Sequence, residues 1–383
     1  EKEGIRLIKY SAERNNPFGL NIFSVILYWS LAGFKKSYSR SFEYAKKAAD
    51  LNYINGLFYY GFMNYFGFAV ERNKEEGMKY IKKSYERGKK DAFNMIAIFA
   101  LSMNLPESKE DALLFFKMGA DMGDVNSMQM CSMIFLHSDV ISEMKSLEVF
   151  QNKGPFNFDN IFKQIPKNIT EGKKYLKMAA DNGDITSMKE YSAILFEENN
   201  LIEGLEYLKM AADKGDVDSM KRYGSKLTET KNKESEGARY VRMAADRDDF
   251  EAICKYAELL YSGLGVKMNK KGGAKYYKIA ANGGIEAAMY SYARILRHGE
   301  GIPKNINESI KYYKMAIDKG NALAMINYAH MLFNGEGIPI NKEEAFNYYK
   351  MSADTGYTNA MIHLGNMLFY GDGIFPKWII AFV

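Results

Sequence analysis

The sequence is poor in the side chains that carry covalent and metal chemistry. Only two cysteines and four histidines occur in its 383 residues. A disulfide-stabilised secreted protein would need many more cysteines, so this count favours a reducing compartment, and we predict a cytoplasmic location. The histidines are far apart and none has a metal-ligand spacing to another histidine or a carboxylate: His137, His298, His330 and His363. We therefore expect no metal site.

The motifs of the common enzyme classes are missing as well. The sequence has no Walker loop, no Gly-x-Gly-x-x-Gly after a strand pattern, and no His-Arg-Asp or Asp-Phe-Gly kinase signature. Neither Cys131 nor Cys254 has a histidine at a repeat-equivalent neighbouring position that would activate its thiolate. These absences predict a protein that is not an enzyme, with no catalytic residues, no cofactor and no small-molecule substrate.

Long apolar runs and a concentrated charge of one sign are also absent. The two most aromatic segments, Phe18 to Leu31 and Tyr53 to Phe68, are interrupted by polar residues and glycine. Both fall short of the ~20 apolar residues that a membrane-spanning helix needs. The net charge of +5 is mild for this length and gives no basic stripe. We expect neither a membrane segment in this chain nor nucleic-acid binding.

What the sequence does contain is one pattern repeated many times. The clearest copy runs from Asn321 to Gly356. Its first half, named helix A, has apolar residues at helical spacings of three and four: Met325, Tyr328 and Leu332. A Gly-Glu-Gly-Ile-Pro turn breaks this helix, and Asn341 then forms a capping box with Glu344 at the start of a second helix, named helix B. Neither helix can bury its apolar face alone, so neighbouring copies must stack.

The same register extends along the chain. An acidic residue or asparagine near the end of helix B serves as a reference position in each copy: Glu13, Asp50, Glu86, Asp121, Asp181, Asp213, Asp246, Asn282, Asp318 and Asp354. The residues six and eleven positions after each reference are always Gly, Ala or Ser, and the residue seven positions after it is always large and apolar. Small residues beside large ones are what close packing between helices requires.

These features identify the chain as resembling the Sel-one-like repeat (SLR) family, a relative of the tetratricopeptide repeat. The resemblance is carried by the helix A pattern, by a helix B of the form Tyr-Tyr-Lys-Met-Ala-Ala-Asp-x-Gly, and by the Gly-x-Gly turn between them. The clearest turns begin at Gly263, Gly299, Gly335 and Gly371. The resemblance implies an all-α fold, a right-handed superhelical solenoid of about ten antiparallel helix-turn-helix SLR units.

We expect residues 1–383 to form a single solenoid that begins and ends inside a repeat. One spacing departs from the pattern, because 60 residues separate Asp121 from Asp181 where 36 separate Asp318 from Asp354. An insertion at residues 138–166, between helix A and helix B of one repeat, accounts for the difference. It is either a surface loop with a short helix or a partner-binding protrusion.

The repeated methionines occupy two equivalent positions, which indicates packing rather than a promiscuous binding groove. The first position holds Met128, Met188, Met220, Met289, Met325 and Met361, and the second holds Met178, Met210, Met243, Met315 and Met351. We expect both sets to lie in the core.

Candidate binding residues are the helix A positions that face away from this packing and differ between copies. The resemblance implies that helix A lines the concave surface of the array, where stacked helical hairpins bind their partners. The candidates are Lys255, Glu258, Tyr261, Ser291, Arg294, Arg297, Asn327, His330, Phe333, His363 and Asn366. Their mixture of basic, polar and aromatic groups suits an extended peptide or a helix with acidic residues.

We therefore predict a non-catalytic scaffold or adaptor that binds a protein or peptide client, as proteins similar to this one do in signalling. Two alternatives stay open. In the first, the array would be the regulatory region of a protist protein kinase whose catalytic domain lies elsewhere, since some SLR arrays are joined to kinases. In the second, it would be a carbohydrate- or peptidoglycan-linked bacterial SLR protein.

Overall fold

The computed structural model describes residues 2–102, 108–137 and 167–370. Across these ranges the regular structure consists of twenty α-helices, with no strand. The chain divides into two compact units, residues 1–194 and residues 195–383. The predicted insertion at residues 138–166 lies outside the described residues. The all-α prediction is confirmed, whereas the superhelical hand, the number of repeats and the single array stay predictions.

The first unit contains a regular succession of helices. They are α1 (Lys2–Glu13), α2 (Pro17–Trp29), α3 (Tyr38–Asp50), α4 (Ile54–Phe66), α5 (Lys74–Glu86), α6 (Ala92–Ser102), α7 (Ser108–Asp121), α8 (Val125–His137) and α9 (Ile169–Asp181). The next helix, α10 (Ile185–Glu197), contains the boundary between the units. The odd-numbered helices are the predicted helices B and the even-numbered ones are the predicted helices A.

The second unit continues the same alternation. Its helices are α11 (Leu201–Asp213), α12 (Val217–Thr228), α13 (Glu234–Ala245), α14 (Phe250–Ser262), α15 (Lys270–Asn282), α16 (Glu286–His298), α17 (Ile306–Asp318), α18 (Ala322–Asn334), α19 (Lys342–Asp354) and α20 (Thr358–Tyr370). Consecutive helices in this unit pack against each other, and their buried side chains form one continuous cluster from Leu208 to Met367.

Side-chain caps explain where the helices B begin. The side-chain oxygens of five asparagines that precede helices B accept a hydrogen bond from the backbone N–H three residues later: Asn73, Asn168, Asn269, Asn305 and Asn341. Each such bond satisfies one of the donors that a helix start leaves unpaired. Asn200 also precedes a helix, but its side chain makes no such bond to the backbone. The cap predicted at Asn341 is therefore confirmed, and the same bond recurs at the other four asparagines but not at Asn200.

The turns between helix A and helix B differ along the chain as their sequences predict. Where the Gly-x-Gly pair is present, its first glycine closes helix A in a left-handed conformation, as Gly335 does with a φ of 71°. Some turns without the pair are shorter, and only Glu198, Asn199 and Asn200 separate α10 from α11. A non-glycine residue, Asn199, then takes the positive φ, which asparagine tolerates better than most residues.

The small residues of the repeat lie where two helices approach most closely. A Cβ atom added to Gly56, six positions after its reference, would lie 2.5 Å from the Cβ atom of Ala48 in the preceding helix B. A Cβ atom added to Gly61, eleven positions after it, would lie 2.8 Å from the carbonyl oxygen of Gly77 in the following helix B. One small position therefore permits contact between repeats and the other permits contact within a repeat.

The large residues seven positions after the reference are buried in nine of the ten copies, and Met361 is 48% exposed. The prediction that the second set of methionines lies in the core is wrong. Met210 is 40% exposed and Met351 is 47% exposed, while Met178, Met243 and Met315 are half-buried. The repeat spacing shows that these methionines occupy equivalent positions on helix B. Those positions lie at the edge of the packed face of helix B and not at its centre.

Two adjacent alanines of α16 give a direct test of the packing register. Ala288 is fully buried, whereas Ala287 is exposed one residue away. We expect Ala288→Leu to lower the free energy of unfolding by ~1–3 kcal/mol because a larger side chain overfills the contact between helices. Ala287→Leu should change it by less than about 0.5 kcal/mol. Urea unfolding of both variants measures the difference, and equal losses would contradict the register.

Candidate functional site

The eleven candidate residues lie on α14, α16, α18 and α20 of the second unit. We name them together the helix A surface. Glu258, Arg294 and Asn366 are exposed. The other eight are half-buried: Lys255, Tyr261, Ser291, Arg297, Asn327, His330, Phe333 and His363. Their role in binding stays a prediction, but the structure shows that several of them already have partners within the chain.

Arg297 is the most strongly held of these side chains. Its Nε donates to Glu336 Oε2 at 2.9 Å, and one terminal nitrogen donates to Asn327 Oδ1 at 3.2 Å. Glu336 belongs to the A-to-B turn of the following repeat, so this contact joins two repeats. The hydrogen bonds from Arg297 hold the pKa of Glu336 below its usual range. Arg297 is thus part of the connection between repeats and is less available to a partner than the sequence suggests.

An equivalent contact occurs one repeat earlier. The hydroxyl of Tyr261 donates to the carboxylate of Glu300, which again lies in the A-to-B turn of the following repeat. This hydrogen bond lowers the pKa of Glu300. The residues fifteen positions after Asp246 and Asn282 therefore hold the next turn in place, although one is a tyrosine and the other an arginine.

His330 lies in a cluster of rings. Its Nδ1 is 2.9 Å from the hydroxyl of Tyr349, and its ring centroid is 4.4 Å from that of His363. His363 also stacks on Tyr349, with centroids 5.1 Å apart. Burial, together with the nearby His363 and Arg297, lowers the pKa of His330 to about 4. The ring is therefore neutral near pH 7, and an unprotonated Nδ1 can accept the hydrogen bond from Tyr349.

A groove in the same unit was not predicted from the sequence. It has a volume of about 410 Å³, and Phe196 and Leu208 are the apolar residues that line it. Its basic lining residues are Lys221, Arg222, Lys226 and Lys255, and its acidic ones are Glu229 and Glu251. Four of its nine lining residues come from α12, and two of these, Arg222 and Ser225, stand at positions equivalent to the helix A surface. We name this space the α12 groove.

The repeat register explains why a space opens here. Ser225, which lines the α12 groove, stands at the position that Glu258, Arg294 and His330 occupy in later repeats. A serine fills far less volume than any of these side chains. The spacing identifies Ser225 and Arg222 as members of the same surface, but only the structure shows that the shorter side chain leaves a groove.

The charges of the α12 groove are unequally engaged. Lys221 Nζ is 2.6 Å from Glu251 Oε2 and 3.5 Å from Asp249 Oδ2, so its charge is already balanced. Arg222 has one long ion pair, 3.9 Å to Asp218, and Lys226 lies 5.8 Å from the centre of the Phe196 ring. Arg222 and Lys226 therefore keep hydrogen-bonding capacity beside an apolar wall.

The cysteines show none of the features of an activated nucleophile. Burial raises the pKa of the Cys131 thiol far above its usual range and raises that of Cys254 to about 11. A thiol with a raised pKa is a poor nucleophile near pH 7. Within the described residues no group of three or more His, Cys, Asp or Glu side chains is placed to hold a metal ion. Among the described helices, none has the length and apolar character that crossing a membrane requires.

Fold and surface together define a helical repeat protein of paired helices with a variable helix A surface. The Sel1 repeat family model matches residues 25–53, 54–89, 162–184, 195–216, 250–285, 286–321, 322–357 and 358–377. These eight segments make up more than half of the chain. The chain belongs to the Sel1 repeat family, the family of SLR proteins, whose members generally act as non-catalytic scaffolds for protein–protein interaction.

One solved structure supports the fold. A protective antigen of uropathogenic Escherichia coli with an SLR fold is 19% identical, with a TM-score of 0.58 over 87% of this chain and 68% of the antigen. A Sel1 repeat protein from Oxalobacter formigenes is 25% identical over 50% of this chain and 84% of its own, with a TM-score of 0.44. A comparison with curated proteins finds no match. None of these findings adds support for the kinase alternative.

The His330 cluster predicts a specific dependence of stability on pH. In the unfolded chain a histidine has a pKa of ~6.5, so between that value and about 4 the unfolded state binds a proton that the native state does not. Stability should therefore fall as the pH drops through this window. We expect His330→Gln to remove a part of this fall on the order of 1 kcal/mol.

The measurement is the urea unfolding midpoint of each protein at several pH values between about 7.5 and 4. His298→Gln is the control, because His298 is an exposed histidine in α16. Its profile should follow that of the parent chain. If the His330→Gln profile also follows the parent, His330 is not held in its neutral form by the fold.

Proposed function

We propose that the chain is a non-catalytic scaffold that binds a protein or peptide through the helix A surface and the α12 groove of its second unit. The supporting observation is a contrast between repeats. The packing positions hold similar small residues in every copy, whereas the equivalent surface positions hold Ser225, Glu258, Arg294 and His330 in turn. Packing thus constrains the first set and leaves the second free to recognise a partner.

Three basic groups of these surfaces indicate the chemistry of that partner. Arg294 is exposed and has no ion pair within the described part of the chain. Arg222 and Lys226 lie beside Phe196 in the α12 groove. Arginine combined with an aromatic wall is a frequent arrangement at the centre of protein interfaces. A segment with acidic and apolar side chains would satisfy these groups.

The test is affinity capture with the parent chain and with a variant carrying Arg222→Glu and Arg294→Glu. We expect a partner retained by the parent to be lost by the variant, with its affinity lowered at least about tenfold because two favourable charges become repulsive. Arg297 and His330 are left unchanged, since their contacts within the chain would confuse loss of binding with loss of stability.

The control is Lys311→Glu, which reverses one exposed charge on helix B of the same unit. It should retain the partner, and all three proteins should unfold at similar temperatures. Retention of the same partners by the double variant would place the binding surface elsewhere. We also propose a cytoplasmic location, which the low cysteine count predicts.

A further inference from the structure

A second cavity lies on the helix B side of the second unit, apart from the proposed binding surface. It has a volume of about 510 Å³ and lies between α15 and the next repeat. Ala274, Tyr292 and Ile302 give it an apolar lining. Its remaining lining residues are Asn269, Lys271, Gly272, Lys275 and Lys278, so the cavity has three lysines and no carboxylate among them. We name it the α15 cavity.

The repeat itself shows why this cavity exists. Gly272 stands where the next two helices B have Glu308 and Glu344, and Ala274 stands where they have Ile310 and Phe346. Ile310 and Phe346 are half-buried and pack against the hydrophobic cluster of this unit. Two side chains that occupy space in the following repeats are thus truncated in α15. Gly272 and Ala274, the smaller residues at these two positions, both line the cavity.

The same comparison shows an unbalanced charge. Lys271 and Lys275 are exposed and have no ion pair within the described residues. In the next repeat the position of Lys271 holds Asn307, and Glu308 provides a carboxylate beside it. Lys278, the third lysine, is bound to that Glu308 at 3.0 Å. Lys271 is therefore an additional cation of α15, and Gly272 beside it leaves α15 without the carboxylate that Glu308 provides in α17.

The cap residue of α15 lacks a partner in the same way. In the two following repeats the cap asparagine donates from Nδ2 to the glutamate three residues later, at 3.3 Å for Asn305 and 2.9 Å for Asn341. Asn269 has glycine at that position, so its Nδ2 has no such carboxylate. A carboxylate from outside the chain would meet this amide and two lysines together.

We propose that the α15 cavity is a docking site for an acidic peptide segment of a partner protein, in which an apolar side chain lies next to carboxylates. The carboxylates would pair with Lys271 and Lys275, and the apolar side chain would contact the half-buried Ile302. This surface is distinct from the helix A surface, so it gives the scaffold a second place of attachment.

The structure favours a peptide over a nucleic acid as the occupant. A nucleic acid needs a basic track that follows its phosphates over several nucleotides. Here the basic character ends at the next repeat, where Glu308 and Glu344 occupy the positions equivalent to Gly272. The apolar part of the lining also suits a side chain better than a phosphate chain.

The experiment measures fluorescence anisotropy of the parent chain with a labelled peptide of sequence Glu-Asp-Leu-Glu-Asp-Phe-Glu. A second peptide with Gln and Asn in place of the acids and a labelled single-stranded RNA are the comparison probes. We expect the acidic peptide to bind, and its affinity to fall as salt is raised. The neutral peptide should bind at least about tenfold more weakly.

Two variants locate the binding. Gly272→Glu with Ala274→Ile fills the cavity with the residues of the next repeat, and Lys271→Glu with Lys275→Glu reverses its charge. Each should weaken acidic-peptide binding at least about tenfold. Because Ala274 is buried, urea unfolding of the first variant must show that it folds as the parent does. The second variant changes only exposed lysines and tests the site without altering the packing. The matched control is Asn307→Glu with Lys311→Glu, at the equivalent positions of α17, and it should bind as the parent does.

Three results would overturn the proposal: binding that is unchanged in the filled variant, binding of the RNA without the acidic peptide, and no binding of the acidic peptide by the parent. The Arg222→Glu and Arg294→Glu variant separates the two surfaces, because it should still bind this peptide. Loss of peptide binding in that variant alone would place the peptide on the helix A surface instead.

Discussion

The close approach of each helix A to the helices B on either side of it is the contact on which the rest of the structure depends. It is possible because the residues six and eleven positions after each reference are small. At Gly56 and Gly61 there is no room for even one added carbon without a shift of the neighbouring helix. Where a serine stands eleven positions after its reference, its hydroxyl is accommodated by a hydrogen bond, as Ser24 Oγ donates to the carbonyl oxygen of Ser41 at 2.8 Å. Larger side chains would separate the helices and expose the apolar residues between them.

Polar contacts follow this packing from repeat to repeat. Lys278 lies against the ring of Tyr292 and binds Glu308. Two repeats earlier, Lys209 Nζ is 3.9 Å from Glu236, which also accepts a hydrogen bond from Tyr223 at 3.2 Å. A basic residue, a tyrosine and a glutamate thus recur at the junction between helix B of one repeat and the next repeat. These groups are partly exposed, so each contact contributes little alone. Because these polar contacts recur, they orient lysine, tyrosine and glutamate side chains that lie outside the small packing positions.

Much of the fold could be predicted because the same pattern of residues recurs in many copies along the chain. The ends of the helices B, the caps such as Asn305 and the buried small positions all follow from spacing. The candidate surface was harder to predict, because a position that faces away from the core can still bind a neighbouring turn. Arg297 appears free in sequence, yet Glu336 is 39 positions away and becomes adjacent only when the repeats stack. Met210 shows the same limit, since its spacing indicates a shared site without giving its burial.

Differences between equivalent positions therefore say more about function than any single residue does. The backbone of each repeat is nearly fixed by its packing, so a shorter side chain leaves a space that the scaffold does not close. Ser225 opens the α12 groove in this way, and Gly272 with Ala274 opens the α15 cavity. In both places cations remain beside an apolar wall. A repeat array can thus gain a binding site by losing side-chain volume in one copy, while the neighbouring copies keep the helices in place.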